Sequence, residues 1–89
     1  MLRSTITISN RLGLHARASA KLTKLCGRFA SEIHLSRNDR RVNAKSIMGV
    51  MMLAAGFGSE VTLETDGPDE QQAMQALREL IDDKFGEGE

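Results

Sequence analysis

Apolar and polar residues alternate along several short stretches of the chain, which is the pattern of strands with one buried face. Isoleucines and hydroxyl side chains alternate over residues 4–9, and similar alternation returns over 32–36 and 60–65. A shorter stretch, residues 41–44, follows a turn of charged and amide residues at 37–40 and predicts the second strand of a hairpin. The pattern therefore predicts four strands.

Three other stretches show the spacing of helices. The first helix is predicted from Ala16, and Gly27 ends it. Ser46 is a good N-cap for a short helix from Ile47 to about Leu53. In the last helix Pro68 takes the first helical position, with acidic residues in the first turn. The apolar stripe of this last helix consists of Ala73, Leu77, Leu80, Ile81 and Phe85.

The predicted order of elements is β-α-β-β-α-β-α. Strands with a single apolar face suit a mostly antiparallel sheet that is packed on one side by helices. The predicted fold class is therefore α+β, an open-faced β-sandwich whose four-stranded sheet is covered on one face. A chain of 89 residues predicts a single domain over 1–89, with a disordered tail at 86–89.

Composition narrows the class of protein. Hydrophobic residues make up 40% of the chain, which is ordinary for a soluble protein, and there is no tryptophan or tyrosine. The single cysteine, Cys26, cannot form an internal disulfide, and no apolar run approaches the about 20 residues of a membrane span. No residue spacing matches a metal site or a nucleotide-binding loop. We expect a cytoplasmic protein with no membrane insertion, metal or cofactor.

The net charge of zero hides an uneven distribution. Residues 1–45 carry ten lysines and arginines against two acids, whereas residues 46–89 carry two against ten. If the halves separate in space, the protein has a charged face that attracts an oppositely charged partner. If they interleave, the charges form solvated pairs. Charge alone leaves both possibilities open.

The candidate reactive residue is His15, between a glycine turn and the first predicted helix. Free N–H groups and the dipole at a helix start favour negative charge, such as that of a phosphorylated imidazole. Arg17 can clamp phosphate oxygens. The first half contains only two acids, Glu32 and Asp39, and a carboxylate beside His15 would repel a phosphoryl donor, so we expect acid-free surroundings. Such a histidine can act as a nucleophile; the alternative is an ordinary loop residue.

The short helix after Ser46 is the second candidate. Ile47, Met48, Met51 and Met52 cannot all face inward on about one and a half turns, so part of this set is expected at the surface. Methionine suits a surface that accepts several partners. Ser46 is a candidate for phosphorylation, which would add charge beside that surface; the alternative is that it only caps the helix.

Two motifs, GLHAR at 13–17 and KSIMGVM at 45–51, resemble the signatures of the HPr phosphocarrier proteins of the bacterial phosphoenolpyruvate-dependent phosphotransferase system (PTS). The resemblance covers the whole chain, including the GPDEQQA opening of the last helix. It implies that enzyme I phosphorylates Nδ1 of His15, with phosphoenolpyruvate as the ultimate source, and that an enzyme IIA domain receives the group. It also implies that Arg17 lies beside the phosphohistidine and that Ser46 matches the serine modified by HPr kinase/phosphorylase in some bacteria.

The resemblance further implies a partner-docking surface. The residues predicted to form it are Ala16, Ala20, Lys21, Lys24, Lys45, Ile47, Met48 and Met51. Two positions depart from the family's pattern. Ala18 stands where proline is usual, with a small expected effect on the site, and Ala44 replaces the common glycine before Lys45, which leaves recognition by the serine kinase open.

The predicted function is that of a phosphocarrier, a monomer without a substrate pocket that acts as co-substrate of enzyme I and has no independent turnover. Within the family such a carrier serves sugar uptake, regulation or both, and the alternative is the regulatory, nitrogen-related branch of the system. An alternative from a different class is a small α/β binding module in which His15 is incidental. Such a module would bind nucleic acid with an affinity that depends steeply on salt, and its binding would tolerate His15→Ala. The phosphocarrier hypothesis predicts no nucleic-acid partner.

Overall fold

Four strands form one sheet in the computed structural model, which describes residues 1–89. They are β1 (Leu2–Thr7), β2 (Glu32–Arg37), β3 (Arg40–Asn43) and β4 (Glu60–Asp66). Their order across the sheet is β1-β4-β2-β3, and every neighbouring pair is antiparallel. Because β4 lies between β1 and β2, a strand from the C-terminal half of the chain separates two strands from the N-terminal half.

Three helices complete the predicted architecture. They are α1 (Ala16–Cys26), α2 (Ile47–Met52) and α3 (Glu70–Asp82), and a short 3-10 helix, Lys84–Gly86, follows. Helix α1 contacts both α2 and α3. The α+β open-faced β-sandwich and its element order are therefore confirmed. None of the helices combines the length and the apolar character that crossing a bilayer requires.

The core is almost entirely aliphatic. Its 19 buried apolar residues form one cluster, and Phe85 is the only aromatic among them. In β2 and β4 the buried apolar side chains follow the period of two that the sequence shows, with Ile33 and Leu35 on one strand and Val61 and Leu63 on the other. The helices supply the opposite wall of this core, so the apolar face of the sheet is the one that they cover.

Glu64 shows how the two oppositely charged halves meet in the sheet. Its carboxylate accepts hydrogen bonds from Arg41 Nε and Arg3 Nη2, each at 2.8 Å. These hydrogen bonds, first that of Arg41 and then that of Arg3, lower the pKa of Glu64. The halves therefore interleave across the sheet, whereas Arg17 and Lys24 on α1 form no ion pair with an acid. Both of the possibilities left open by the charge pattern are thus realised, in different parts of the fold.

The last helix begins later than the sequence predicts. Helix α3 starts at Glu70, so Pro68 lies before it and not at its first position. The Asp69 carboxylate is directed away from the helix, where it accepts hydrogen bonds from the backbone N–H groups of Ala30 at 2.8 Å and Ser31 at 2.9 Å. This tertiary contact fixes the turn before β2, and it explains why the acid does not cap its own helix.

The C-terminal tail contacts the rest of the fold. Phe85 leaves the helical conformation with a φ of 56° and is only 1% exposed. Its carbonyl accepts a hydrogen bond from Lys21 Nζ at 2.6 Å, and the Glu89 carbonyl accepts one from the Arg11 backbone N–H at 2.8 Å. Burial of this large apolar side chain anchors the chain just before residues 86–89, whose disorder stays a prediction.

Candidate functional site

His15 lies at the start of α1, as its sequence context predicts. It is the N-cap residue, with φ −72° and ψ 178°, and its side chain is 28% exposed. The first helical hydrogen bond runs from the Ser19 N–H to the His15 carbonyl at 2.8 Å, so the N–H groups of residues 16–18 have no backbone acceptor. These free donors and the helix dipole favour a negative charge beside the imidazole.

The loop before His15 is held closely against the segment that follows α2. Gly13 has a φ of 65°, and a Cβ at this position would lie 2.6 Å from the Ala55 carbonyl oxygen and from Gly56 Cα. The next residue, Leu14, donates its N–H to the same Ala55 carbonyl at 2.9 Å. Because only glycine permits this approach, Gly13 fixes the position of the histidine relative to the end of α2.

A carboxylate from the tail contacts His15. Glu87 Oε2 lies 2.5 Å from His15 Nε2, and Glu87 Oε1 accepts a hydrogen bond from Asn10 Nδ2 at 3.0 Å. The hydrogen bonds from Asn10 and then His15 lower the pKa of Glu87, so its carboxylate is charged at neutral pH. The expectation of acid-free surroundings for His15 is therefore wrong.

Sequence reasoning missed Asn10 and Glu87 because their roles depend on long-range contact. Glu87 is 72 positions from His15, and Asn10 is fully buried in a segment that reads as a polar loop. The one available signal is Phe85, since a large apolar residue so close to glutamate 87 implies a buried anchor for the tail. The sequence pattern instead places Phe85 on the apolar stripe of the last helix.

Three cations surround the imidazole and the tail. Arg11, Arg17 and Lys21 line a surface hollow of about 360 Å³ together with His15 and Glu87. Lys21 is held by its hydrogen bond to the tail. The Arg17 side chain is exposed and forms no hydrogen bond or ion pair, so its guanidinium is free to bind an anion at the hollow.

Ser46 caps α2 as predicted. Its Oγ accepts a hydrogen bond from the Gly49 N–H at 3.1 Å. Of the helix residues only Val50 is buried. Four apolar side chains remain at the surface and form what we call the methionine patch: Ile47, Met48, Met51 and Met52, which are 39%, 67%, 41% and 57% exposed. The prediction that this set cannot all face inward is confirmed.

The residues predicted to dock partners lie on the adjoining helices α1 and α2. On α1 the exposed ones are Ala16, Ala20, Lys21 and Lys24. Lys45 is half-buried, and its Nζ donates to the Phe29 carbonyl at 2.8 Å, so its ammonium group already has a partner within the fold. The remaining predicted residues, Ile47, Met48 and Met51, belong to the methionine patch.

The family model described as the PTS HPr component phosphorylation site matches residues 2–83. The chain belongs to the HPr family. A phosphocarrier protein HPr from Cupriavidus necator is 71% identical over 89 residues, which span all of both chains. The crystal structure of HPr-C-His from Thermoanaerobacter tengcongensis has a TM-score of 0.95 at 45% identity and covers 98% of each chain. An HPr dimer from the same organism has a TM-score of 0.79 at 45% identity, covering 98% of this chain and 100% of that one.

As a member of the HPr family, the protein is a phosphocarrier of the phosphotransferase system. Its two departures from the HPr pattern are accommodated without disturbing the fold. Ala18 and Ala44 are both fully buried, α1 begins at Ala16 without a proline at position 18, and the Ala44 N–H donates to the Ile33 carbonyl at 2.9 Å. The small effect of Ala18 on the site stays a prediction.

Proposed function

We propose that His15 is the residue that carries the phosphoryl group. The observation on which this rests is the combination of free backbone N–H groups at residues 16–18 with the unpaired guanidinium of Arg17. A phosphoryl group brings about two negative charges to the imidazole at neutral pH. Helix-terminal N–H groups and a nearby arginine are the donors that stabilise such a group in proteins.

The transfer is a displacement at phosphorus. A ring nitrogen of His15 attacks the phosphoryl group of a phosphohistidine on enzyme I, a new N–P bond forms, and the donor's N–P bond breaks. The electron pair of the broken bond stays on the donor imidazole, so the step requires no metal, cofactor or proton transfer between the rings. The same displacement in the next complex passes the group from His15 to an enzyme IIA domain.

Enzyme I and the enzyme IIA domain are the proposed partners, and they dock on the methionine patch and on the exposed side of α1. The patch offers apolar surface to bury, while Arg17 and Lys24 favour acidic partner faces. A monomer leaves this surface free for successive partners, so we propose a monomeric carrier, in the cytoplasm. Phosphorylation of Ser46 by an HPr kinase/phosphorylase would place charge at the edge of the patch and weaken docking.

Intact-mass spectrometry after incubation with enzyme I, magnesium and phosphoenolpyruvate tests the proposed function. We expect one phosphoryl adduct per chain that is lost in acid, as is typical of an N–P bond. An enzyme I that is active on its own carrier provides the positive control. Absence of an adduct on the folded chain with the host's own enzyme I would contradict the proposal and favour the binding module.

Replacement Arg17→Ala is expected to slow phosphoryl acceptance by about tenfold or more, because a charge-assisted contact to the transferred group is lost. Rapid-quench measurement of transfer from phosphorylated enzyme I gives the rate. The matched control is Arg28→Ala, which removes the same charge from an exposed residue beyond the other end of α1. Equal rates for the two variants would argue against a role for Arg17 at the phosphoryl group.

Replacement Met48→Glu is expected to raise the KM for phosphorylated enzyme I by about tenfold with little change in kcat, because it places a charge in the apolar part of the docking surface. Met48 is the most exposed residue of the methionine patch, at 67%. Steady-state kinetics check the split between KM and kcat. Gln72→Glu adds the same charge on the exposed side of α3 and should leave both constants unchanged; an equal rise in KM there would indicate a general charge effect.

A further inference from the structure

A chain of hydrogen bonds runs from the backbone of the first loop to the imidazole of His15. Asn10 Nδ2 donates to the Gly13 carbonyl at 2.8 Å and to Glu87 Oε1 at 3.0 Å, and Glu87 Oε2 lies 2.5 Å from His15 Nε2. A carbonyl and a carboxylate can only accept. The fully buried Asn10 therefore uses its two N–H bonds for these two acceptors, which fixes the orientation of its amide.

The same logic determines where the proton of the imidazole lies. An ionised carboxylate accepts hydrogen bonds, so His15 Nε2 must carry a proton to donate to Glu87. The other ring nitrogen, Nδ1, makes no hydrogen bond within the helix start. We propose that Glu87, oriented by Asn10, is a positioning residue that holds neutral His15 with its proton on Nε2 and leaves the lone pair of Nδ1 to attack phosphorus. This inference rests on the proposed function of His15.

The pair also stabilises the product of the transfer. When the Nδ1–P bond forms and the donor's N–P bond breaks, the electron pair leaves with the donor nitrogen and the His15 ring becomes positively charged. The proton stays on Nε2 throughout, and the Glu87 carboxylate faces the positive ring, as the aspartate does in the serine protease triad.

Glu87 does not repel the phosphoryl group as a carboxylate in its path would. Its carboxylate accepts a hydrogen bond from Nε2, whereas the nitrogen that attacks phosphorus is Nδ1. The other charged groups of the hollow are the cations Arg11, Arg17 and Lys21 and the carboxylate Glu89, so cations outnumber acids around the imidazole. The lowered pKa of Glu87 agrees with a carboxylate that remains charged in this setting.

Replacement Glu87→Gln tests the inference because the buried asparagine decides how the new amide is oriented. Asn10 Nδ2 requires an acceptor, so the oxygen of the Gln side chain faces Asn10 and its NH2 group faces His15. The imidazole must then accept at Nε2 and carry its proton on Nδ1, where it blocks the nucleophile. Long-range ¹H–¹⁵N correlation spectra of the unphosphorylated, ¹⁵N-histidine-labelled protein, recorded where the ring is neutral, distinguish the two tautomers.

We expect the Nε2–H form in the wild-type protein and the Nδ1–H form in Glu87→Gln, together with a fall in kcat for phosphoryl acceptance of about tenfold or more. The KM for enzyme I should remain unchanged, which separates positioning from docking. The matched control is Glu79→Gln, which removes one charge from an exposed side chain of α3 that lies outside the hollow. This control should keep the wild-type tautomer and rate.

An unchanged tautomer in Glu87→Gln would overturn the inference, and so would an inverted tautomer with an unchanged rate. The spectra need no phosphoryl donor. If the wild-type chain failed to take up a phosphoryl group at all, that failure would count against the proposed function of His15, while the tautomer measurement would still report on the hydrogen-bond chain itself.

Discussion

Replacement His15→Ala is expected to abolish phosphorylation by enzyme I and phosphoenolpyruvate, so that the mass of the treated variant equals its untreated mass. The expected effect is complete because the reaction needs a nucleophilic nitrogen in the hollow, and the other nitrogen-bearing side chains that line it, Arg11, Arg17 and Lys21, are cations. The fold should survive, since His15 is not part of the buried core and its side chain is partly exposed. Circular dichroism and thermal unfolding check that the variant is folded.

The other histidine provides the matched control for this experiment. His34 lies in β2, paired with Asn43 on one side and Glu64 on the other, and does not line the hollow beside α1. His34→Ala removes the same chemical group from the chain and should leave the adduct in place. An adduct that persists in His15→Ala, or that disappears in His34→Ala, would place the phosphoryl group on a residue other than the one proposed.

The elements of this fold could be predicted from the sequence because their signals are local. Alternation over residues 32–36 reflects a strand with one buried face, and the structure has β2 at Glu32–Arg37. Ser46 predicts the start of α2 because an N-cap acts on donors only three residues away, as its hydrogen bond from Gly49 shows. Five apolar residues on a helix of six leave no arrangement that buries them all, so the exposed methionine patch also follows from local spacing.

The surroundings of His15 could be predicted only in part, because half of them come from the other end of the chain. The helix start and Arg17 are neighbours in sequence, whereas Glu87 reaches the imidazole only after Phe85 is buried and the chain turns back with a φ of 56°. The residues around His15 in the sequence, 10–22, therefore cannot predict its contact with Glu87. The same limit applies to Asp69, whose partners Ala30 and Ser31 become neighbours only when α3 packs on the sheet.

The order of the strands also decides which charges of the basic and acidic halves form pairs. The acidic strand β4 lies between two strands of the basic half, so Arg3 and Arg41 are neutralised by Glu64. Helix α1 has no acidic strand beside its exposed face, and its exposed Arg17 and Lys24 form no ion pair. The result is a basic surface on α1 beside His15, where we propose that a phosphoryl donor with acidic surroundings approaches.

Replacement Gly13→Ala is expected to lower the free energy of unfolding by about 2–4 kcal/mol. Two costs add: an L-residue held at a φ of 65° loses about 1–2 kcal/mol, and a Cβ placed 2.6 Å from Ala55 O and Gly56 Cα forces two backbone segments apart. Backbone cannot yield as a flexible side chain does, so the contact between Leu14 and Ala55 must lengthen or break. Urea unfolding measures the change in midpoint and slope.

The same displacement should impair phosphoryl transfer in the chain that remains folded, because it shifts His15 relative to the methionine patch and small misplacements of a reacting group are costly. Gly56→Ala is the matched control: its Cβ would meet nothing within 4 Å, so its stability should change by no more than about 0.5 kcal/mol and its transfer rate should stay that of the wild type. Equal stability of the two variants would mean that the loop before His15 is not held by this backbone contact. A destabilised but fully active Gly13→Ala would mean that the contact supports the fold without setting the position of the imidazole.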